Sequence, residues 1–390
     1  MDFPPHLCTG CGTCRGLCPN GAISLQENQE GFTYPIINRE QCVHCDLCVR
    51  NCPVLNDRIS RKPISVRVAR ADDESIRIKS SSGGVFSLLA QNIIRRGGIV
   101  FGAGFEKDTW RVVHQSAEDL GQLANLIGSK YVQSDLGDTF AEIRKHTQKG
   151  REIMFVGTPC QVAGLRQYLG CNADRVLMVD FICHGVPSPK IWEKYLSYLI
   201  TKYGNGSSIS CLSFRSKLTG WKRFSFYTRY ANGSEYSAIH NDDPYMAGFL
   251  NNLYLRASCY DCKFRNLKSD SDLTLGDCWN ATVLAPQLDD DKGLSLVLLN
   301  TTRGECAYQN IKKSIVDTEI TVDEAAAANP ALISNPKMHR KRGGVFNLLT
   351  QDGFPVRCIM RWTRKSALEV LWFKLLAVRY RFLRWIGLRK

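Results

Sequence analysis

The sequence has no stretch of about 18 consecutive apolar residues, which argues against a helix that spans a membrane. Its first 17 residues also lack the basic start and apolar run of a secretory signal peptide, so we predict none. Disulfide frameworks are typical of short secreted chains, and this chain has 390 residues, enough for one to three domains. We therefore expect a cytoplasmic protein without a disulfide framework.

Acidic residues are scarce in one part of the chain. Residues 337–390 contain fourteen lysines and arginines but only two acids, Asp352 and Glu369. This segment carries +12 of the formal net charge of +14, so the rest of the chain is nearly neutral. Because the positive charge is confined to a tail and no nucleic-acid motif accompanies it, we do not expect the protein to bind nucleic acid.

The basic tail, residues 356–390, repeats apolar side chains at the spacing of one helix face. This face consists of Leu368, Leu371, Leu375, Val378, Phe382 and Trp385. Basic amphipathic helices lie on anionic membrane surfaces, so one prediction is peripheral attachment to the inner membrane face. The alternative is a helix that docks on the core or on a partner protein, because its apolar face is wide and imperfectly separated from its charges.

Cysteine, in contrast, is abundant, with 17 residues. Two segments near the start share the spacing C-x2-C-x2-C-x3-C followed by proline. They contain Cys8, Cys11, Cys14 and Cys18, and then Cys42, Cys45, Cys48 and Cys52. This is the spacing of bacterial ferredoxins with two 4Fe-4S clusters, in which the fourth cysteine of each motif binds the other cluster.

The ferredoxin spacing therefore predicts two ligand sets. The first cluster takes Cys8, Cys11, Cys14 and Cys52, and the second takes Cys42, Cys45, Cys48 and Cys18. The alternative is a pair of zinc sites, but zinc sites use two C-x2-C pairs rather than runs of four cysteines that end in proline.

Beyond residue 64 the sequence alternates between strand and helix patterns. We predict strands at residues 65–70, 99–102, 152–156 and 176–182. We predict helices between them or after them, at residues 85–96, 161–169 and 190–201. Two buried strands joined by a helix imply a right-handed parallel unit. Antiparallel strands are predicted farther on, at residues 208–214 and 224–230, with Asn232-Gly233 as a turn.

A second group of cysteines follows the predicted parallel strands. Cys160 and Cys183 come just after two of these strands, at the sheet edge where ligands bind in open α/β folds. Cys259 and Cys262 form a later C-x2-C pair, and Cys278 follows them. Four of these five would suffice for a third cluster. The alternatives are small buried side chains or a redox-active thiol at Cys160.

A loop of small residues, Ser80 to Gly84, precedes the predicted helix 85–96. Backbone N–H groups at such a helix start suit a phosphate. From the residues alone, an ordinary serine N-cap is the favoured alternative.

Several segments together resemble the family of beta subunits of coenzyme F420-reducing hydrogenases and dehydrogenases. They are the segments around Gly157-Thr158-Pro159-Cys160-Gln161, Cys183-His184-Gly185-Val186-Pro187-Ser188, residues 258–264 and residues 271–277, with residues 81–86 and 128–134 in the N-terminal half. The resemblance covers about residues 65–300. It implies an oxidoreductase that binds FAD and an iron–sulfur cluster and passes electrons to a hydride carrier, which is a deazaflavin in the named members.

The resemblance also implies roles for particular residues. The third 4Fe-4S cluster would be bound by Cys160, Cys183, Cys259 and Cys262, and Cys278 is left out. The flavin would be held by Ser81, Ser82, Gly83, Gly84, Lys130, Tyr131, Gln133 and Ser134. Catalytic residues are not assigned. Asn329 to Leu332 and the basic segment from Lys337 are similar to bacterial relatives associated with cell-surface polysaccharide synthesis.

We therefore predict an α+β or α/β protein with three parts: a small ferredoxin-like dicluster domain (residues 1–58), a mixed α/β flavin-binding core (residues 64–325), and a basic C-terminal extension with an amphipathic helix (residues 326–390). Its partners would be a redox donor or acceptor protein and a small hydride-accepting coenzyme. The alternative function is a non-catalytic iron–sulfur electron carrier or partner-binding protein without flavin.

Overall fold

The computed structural model describes residues 5–56, 58–349 and 353–364. Thirteen β-strands lie in these ranges. They are β1 (Ile23–Glu27), β2 (Thr33–Ile37), β3 (Ser65–Ala71), β4 (Ile99–Phe105), β5 (Val112–Ala117), β6 (Ile153–Gly157), β7 (Val176–Phe181), β8 (Ile209–Ser216), β9 (Ser225–Tyr230), β10 (Glu235–Ile239), β11 (Leu273–Asp277), β12 (Ser295–Leu299) and β13 (Ile315–Ile320).

Fourteen α-helices lie in the same described ranges. They are α1 (Thr13–Leu17), α2 (Leu47–Arg50), α3 (Glu74–Lys79), α4 (Val85–Arg95), α5 (Leu120–Leu126), α6 (Thr139–Gln148), α7 (Pro159–Leu169), α8 (Pro189–Lys202), α9 (Pro244–Leu250), α10 (Ala281–Leu284), α11 (Thr302–Gln309), α12 (Val322–Ala328), α13 (Arg342–Leu348) and α14 (Val356–Thr363).

The N-terminal region has the small α+β form expected of a dicluster ferredoxin. Strands β1 and β2 pair antiparallel, and α1 packs on α2. The first cysteine loop contains Gly10 and Gly12 with φ near +71° and +72°. Glycine adopts this conformation without a steric penalty, so the loop turns tightly into α1.

An eight-stranded sheet forms the centre of the core, in the order β13-β3-β12-β11-β7-β6-β4-β5. The four neighbouring strands β11, β7, β6 and β4 run parallel. Strands β12, β3 and β13 on one side and β5 on the other pair antiparallel with their neighbours. The predicted parallel pairing of the strands before Cys160 and Cys183 is confirmed, since β6 pairs parallel with β7. The mixed α/β fold predicted for the core is therefore present.

Two helices begin where the parallel strands end. Helix α7 follows β6 directly, and Thr158 and Gln161 form a capping box around Pro159 in its first turn. Helix α8 begins in the same way, with Ser188 accepting from the Ile191 N–H and Pro189 in the first turn. These local signals bring the residues after β6 and β7 to the same edge of the sheet.

A second sheet, β10-β9-β8, packs with α8 and α9 in an aromatic core. Trp192 lies at its centre, with ring centroids of Phe214 at 4.8 Å and Tyr245 at 5.2 Å. The antiparallel pairing predicted here is confirmed, with β8 and β10 on either side of β9. The described part of the C-terminal extension packs against this core through buried side chains such as Phe346 and Ile359.

The segment that joins the ferredoxin region to the core has no regular secondary structure over residues 58–63. It is nevertheless anchored, because Arg58 forms an ion pair with Asp270 and its guanidinium lies 4.6 Å from the Phe264 ring centroid.

The predicted amphipathic face of the tail lies outside the described residues. Its members are Leu368, Leu371, Leu375, Val378, Phe382 and Trp385. Within the described ranges, no helix has the length and hydrophobicity needed to cross a membrane.

Candidate redox centres

Four cysteines of the ferredoxin region line one small cavity, and they are the set predicted for the first cluster. Cys8, Cys11 and Cys14 lie in and just after the loop that leads into α1, and Cys52 follows α2. The packing of α1 on α2 brings Cys52 to the other three. A cavity enclosed by four thiols matches a cubane held by four thiolates.

The set predicted for the second cluster lines a neighbouring cavity of about 480 Å³. Its members are Cys18, Cys42, Cys45 and Cys48. Cys45 is exposed to solvent. The Ala22 N–H donates to Cys18 Sγ at 3.2 Å, and such hydrogen bonds adjust the potential of a cluster. This second site therefore lies at the surface of the protein.

The scattered cysteines of the core also converge. Cys160 lies in the first turn of α7, Cys183 follows β7, and Cys259 and Cys262 belong to the loop after α9. All four line one cavity of about 70 Å³. Cys278 lies elsewhere, fully buried in an apolar cluster with Trp221. The tertiary structure thus gathers the four cysteines assigned to a third cluster and leaves the fifth out.

The arrangement of these cysteines bears on the zinc alternative. Within the described ranges, no three His, Cys, Asp or Glu side chains form a group that could hold a single metal ion. Zinc sites require such tetrahedral groups. A 4Fe-4S cubane is larger than one ion, so its ligands surround a cavity instead of meeting at a point. A cavity lined by four thiols is the arrangement that such a cubane requires.

The core cysteines are strongly desolvated. Burial raises the pKa of Cys160, and it raises the pKa of both Cys183 and Cys259 to about 12. A redox-active thiol needs a lowered pKa, because the thiolate is the nucleophile. Burial of Cys160 thus favours the neutral thiol, whereas a bound iron would stabilise the thiolate.

Two polar groups lie beside these sulfur atoms. Thr158 Oγ1 is 3.0 Å from Cys160 Sγ, and the Val186 N–H donates to Cys259 Sγ at 3.4 Å. Outer hydrogen bonds of this kind orient ligands and tune metal centres. They are properties of the folded loops that no cysteine spacing reveals.

A cavity of about 530 Å³ opens above the carboxyl ends of β6, β7 and β11. Most of the residues predicted to hold the flavin line it, namely Ser81, Ser82, Gly84, Lys130, Tyr131 and Ser134. The serine loop is tied to the opposite wall, since Ser81 Oγ accepts from the Ser129 N–H at 2.7 Å. The volume lies within the range of small-molecule and cofactor sites.

Gly83 and Gln133, predicted as flavin contacts with the others, do not line this cavity. The Gly83 N–H donates to Ser295 Oγ at 2.9 Å, which holds the glycine against β12. The Gln133 side-chain amide donates to the carbonyl of Thr9 at 3.1 Å, in the first cysteine loop. Gln133 thus faces the ferredoxin region, and this contact depends on tertiary packing that the sequence pattern does not show.

Several titratable side chains line this flavin-sized cavity. Burial lowers the pKa of Lys130 to about 7 and that of His114 to about 4. Arg215 pairs with Asp277 at 2.5 Å, and its guanidinium lies 4.5 Å from the Phe224 ring centroid. In the described structure, Nε and Nη2 of Arg215 have no hydrogen-bond partner. Because buried polar groups normally have partners, these N–H groups are candidates to bind a ligand.

Asp180 is a further residue that the sequence analysis missed. It lies near the end of β7, is fully buried, and lines both the third cysteine cavity and the flavin-sized cavity. Burial raises its pKa to about 6, although Ser271 Oγ donates to it at 2.9 Å. A carboxylate at the carboxyl end of an otherwise apolar strand is the signal that would have identified it.

Two family models match the chain. Residues 150–324 match the family described as coenzyme F420 hydrogenase/dehydrogenase, C terminus of the beta subunit, and residues 7–56 match the 4Fe-4S dicluster domain. Residues 150–324 thus form a domain of the type found in these hydrogenase and dehydrogenase beta subunits, and a dicluster domain precedes it. The resemblance stated from the sequence motifs is thus confirmed, and so is the dicluster domain in front of the core.

Characterised relatives cover parts of the chain. The F subunit of the F(420)H(2) dehydrogenase from Methanosarcina mazei is 26% identical over 194 residues, 45% of this chain and 53% of the relative. The coenzyme F420-dependent sulfite reductase of Methanocaldococcus jannaschii is 28% identical over 198 residues, 47% of this chain and 29% of the relative. The chain therefore spans about half or less of these proteins.

A chain from the F420-reducing [NiFe] hydrogenase complex of Methanosarcina barkeri is similar at 16% identity and a TM-score of 0.48. The match covers 70% of this chain and 90% of that one. Together, the family matches and the two relatives place this protein among iron–sulfur electron-transfer proteins related to F420-dependent oxidoreductases.

Proposed function

We propose that the protein is an iron–sulfur flavoprotein oxidoreductase that passes electrons between its 4Fe-4S clusters and FAD, and on to a hydride-accepting coenzyme or another small acceptor. The main support is the row formed by the four cavities. Each cavity shares a lining residue with the next: Pro35 joins the second and first ferredoxin sites, Thr9 joins the first and the core cysteine site, and Cys183 joins that site and the flavin-sized cavity.

The burial of the four sites supports the same order. The ferredoxin site with Cys45 is open to solvent, where a partner protein would exchange electrons. The core site is lined by the loops after β6 and β7, and its cysteines Cys160 and Cys183 are only half-buried. The row works in either direction, so it leaves open whether electrons enter at the surface cluster or at the flavin-sized cavity.

The residues that line the flavin-sized cavity would hold the flavin. The N-terminus of α4 would offer backbone N–H groups to a phosphate, and Ser81 before it would offer its hydroxyl. The Ser82 hydroxyl donates instead to the Leu294 carbonyl at 2.8 Å. Lys130 and the unpaired N–H groups of Arg215 supply positive charge or hydrogen bonds at the walls. A bound flavin would supply the conversion between single electrons and a hydride.

The acceptor is proposed from the relatives. The dehydrogenase subunit and the sulfite reductase described above are both named for coenzyme F420, so a deazaflavin is the first coenzyme to test. One of them is a subunit of a larger dehydrogenase, which supports a redox partner protein at the surface cluster. The predicted association with surface polysaccharide synthesis stays a prediction, because no contact or cavity of the described residues bears on it.

An anaerobic cofactor inventory tests the proposal. Iron, acid-labile sulfide and extracted flavin are measured per chain after reconstitution. We expect about twelve irons, as for three 4Fe-4S clusters, together with one FAD. About eight irons and no flavin would contradict the proposal, and would identify the protein as a non-catalytic electron carrier or partner-binding protein.

A further inference from the structure

Arg256 is a fully buried arginine that joins the core to the first cysteine loop. Its Nε donates to the Cys8 carbonyl at 2.7 Å, and its Nη2 donates to the Thr33 carbonyl at 2.8 Å. Its Nη1 donates to Gln133 Oε1 at 3.0 Å. The guanidinium fork is thus held by three acceptors from separate parts of the chain.

Gln133 completes this arrangement from the other side. Its Oε1 accepts from Arg256, and its Nε2 donates to the Thr9 carbonyl at 3.1 Å. The loop fits the two side chains closely at Gly10, where a Cβ would lie 2.9 Å from both Arg256 Nη1 and Gln133 Nε2. Any larger residue at position 10 would therefore push the loop away from the core.

The charge of Arg256 faces both cysteine sites. Its Nη2 lies 3.8 Å from Cys8 Sγ, and Arg256 also lines the core cavity, together with Cys259. Within the described part of the chain, Arg256 forms no ion pair with a carboxylate, so its charge is not cancelled locally.

We propose that Arg256, held in place by Gln133, is a positioning residue that fixes the first cluster against the core and raises the reduction potentials of the first and third clusters. The reason is electrostatic. Reduction adds an electron to a cluster, and a buried cation a few ångströms away stabilises the added negative charge in a low-dielectric interior. Charge and hydrogen bonding near the ligands are established means of tuning cluster potentials.

The effect on the third cluster rests on the proposed function, whereas the effect on the first cluster requires only the dicluster domain. Gln133 thereby takes a different role from the flavin contact predicted from its sequence motif. The two side chains determine how closely and in what orientation the ferredoxin region meets the core.

The test is a redox titration of the reconstituted full chain, in which electron paramagnetic resonance monitors the reduction of each cluster. Arg256→Met removes the charge at similar side-chain length, and Arg256→Lys keeps the charge but loses the fork. Arg342→Met is the matched control. Arg342 also joins the ferredoxin region to the core, through an ion pair with Glu30 at 2.6 Å that balances its charge. Its other polar contacts among the described residues are with the Leu255 carbonyl and Tyr260, and none is with a cysteine.

We expect Arg256→Met to shift two reduction steps to more negative potential, whereas Arg256→Lys and Arg342→Met leave them near the wild-type values. Unchanged potentials in Arg256→Met with full iron content would overturn the proposal. If Arg256→Met loses its iron, the Gln133→Leu variant tests the proposal instead. This substitution removes the hydrogen bond that holds the Arg256 guanidinium, so it should shift the same reduction potentials to more negative values by a smaller amount. Unchanged potentials in Gln133→Leu would refute the role of Arg256.

Iron content separates this proposal from the proposed function. A wild-type protein with about eight irons would show that the third cluster is missing. The shift of the first cluster in Arg256→Met would still be measurable in that protein. The proposal for Arg256 therefore stands or falls on its own result.

Discussion

Gly164 of α7 lies directly against Cys11 of the first ferredoxin loop. A Cβ on Gly164 would be 3.0 Å from Cys11 Cβ and 3.2 Å from Cys11 Sγ. The same helix begins with the residues around Cys160, one turn earlier. Because residues four apart lie on one face of a helix, α7 presents Cys160 and the contact with Cys11 on the same side. The absence of a side chain at Gly164 allows the two cysteine sites to approach each other.

The first prediction concerns this contact. We expect Gly164→Ala to destabilise the protein by about 1–3 kcal/mol, the usual cost of overpacking a close contact. The added methyl group would press on Cys11 and on Thr13 Oγ1, which is 2.7 Å from the Cβ position. The melting temperature of the holoprotein, measured without oxygen, should fall.

Gly343 provides the control, because it is also helical and a Cβ there meets nothing within 4 Å. Gly343→Ala should leave the melting temperature unchanged or raise it, since alanine favours helices. Equal effects of the two substitutions would show that α7 and the first cysteine loop are not in close contact.

The second prediction concerns the core cysteines. Cys160→Ser should lower the iron content by about four atoms per chain, because it removes one ligand of a 4Fe-4S cluster. The signals of the ferredoxin clusters should remain. Cys306→Ser, at an exposed cysteine outside all three sets, should keep the full iron content. Loss of turnover in Cys160→Ser with full iron content would instead support a redox-active thiol.

The third prediction concerns the unpaired N–H groups of Arg215. Arg215→Met should weaken FAD binding by about tenfold or more, since a lost hydrogen bond to a charged group costs about 1.5–3 kcal/mol. Titration calorimetry with the flavin-free protein measures the affinity. Arg223→Met, an exposed arginine on the same segment, should bind FAD as the wild type does. If the wild type, Arg215→Met and Arg223→Met bound FAD with similar affinity, the flavin would bind elsewhere.

The fourth prediction is a pH dependence. Burial lowers the pKa of Lys130 to about 7, so the free protein has a neutral Lys130 above this pH. An anionic ligand favours the charged form, and binding above pH 7 therefore takes up a proton. FAD affinity should fall as the pH rises above 7, by up to about tenfold per unit. In Lys130→Met the affinity for FAD should not depend on pH in this range. If the affinity of the wild type did not fall above pH 7, the role of Lys130 would be refuted.

The fifth prediction tests the basic tail. We expect the full chain to float with vesicles that contain anionic lipids, and a chain that ends at Arg364 to remain in the soluble fraction. This truncation keeps α14, whose Ile359 packs on the aromatic core, so the fold should persist. Equal behaviour of the two chains would favour docking on a partner protein.

Much of the fold was predictable because it depends on local patterns. The apolar runs before Cys160 and Cys183 correspond to β6 and β7, and the capping residues Thr158 and Ser188 mark the starts of α7 and α8. The parallel pairing followed from two buried strands joined by a helix. The antiparallel pairing of β3 with β12 and β13 was not predictable, because it joins strands far apart in sequence.

Some parts of the candidate sites were likewise predictable from local sequence, whereas others depend on tertiary packing. The ferredoxin motifs specify their ligands within short loops, and the structure brings those cysteines together as the spacing requires. Gln133 shows the limit of a motif. It belongs to a segment predicted to hold a flavin, yet its amide binds the Thr9 carbonyl, because the ferredoxin region packs on that side of the segment.

By itself, the sequence determined the two ferredoxin cluster motifs, the strand–helix alternation of the core and the basic tail, since each is encoded by residues near one another in the chain. The tertiary structure decided which scattered cysteines share a cavity and that the four cavities form a row. It also placed the Arg256 charge between two of them. These features depend on contacts between residues up to 248 positions apart, which only the packing of the whole chain brings together.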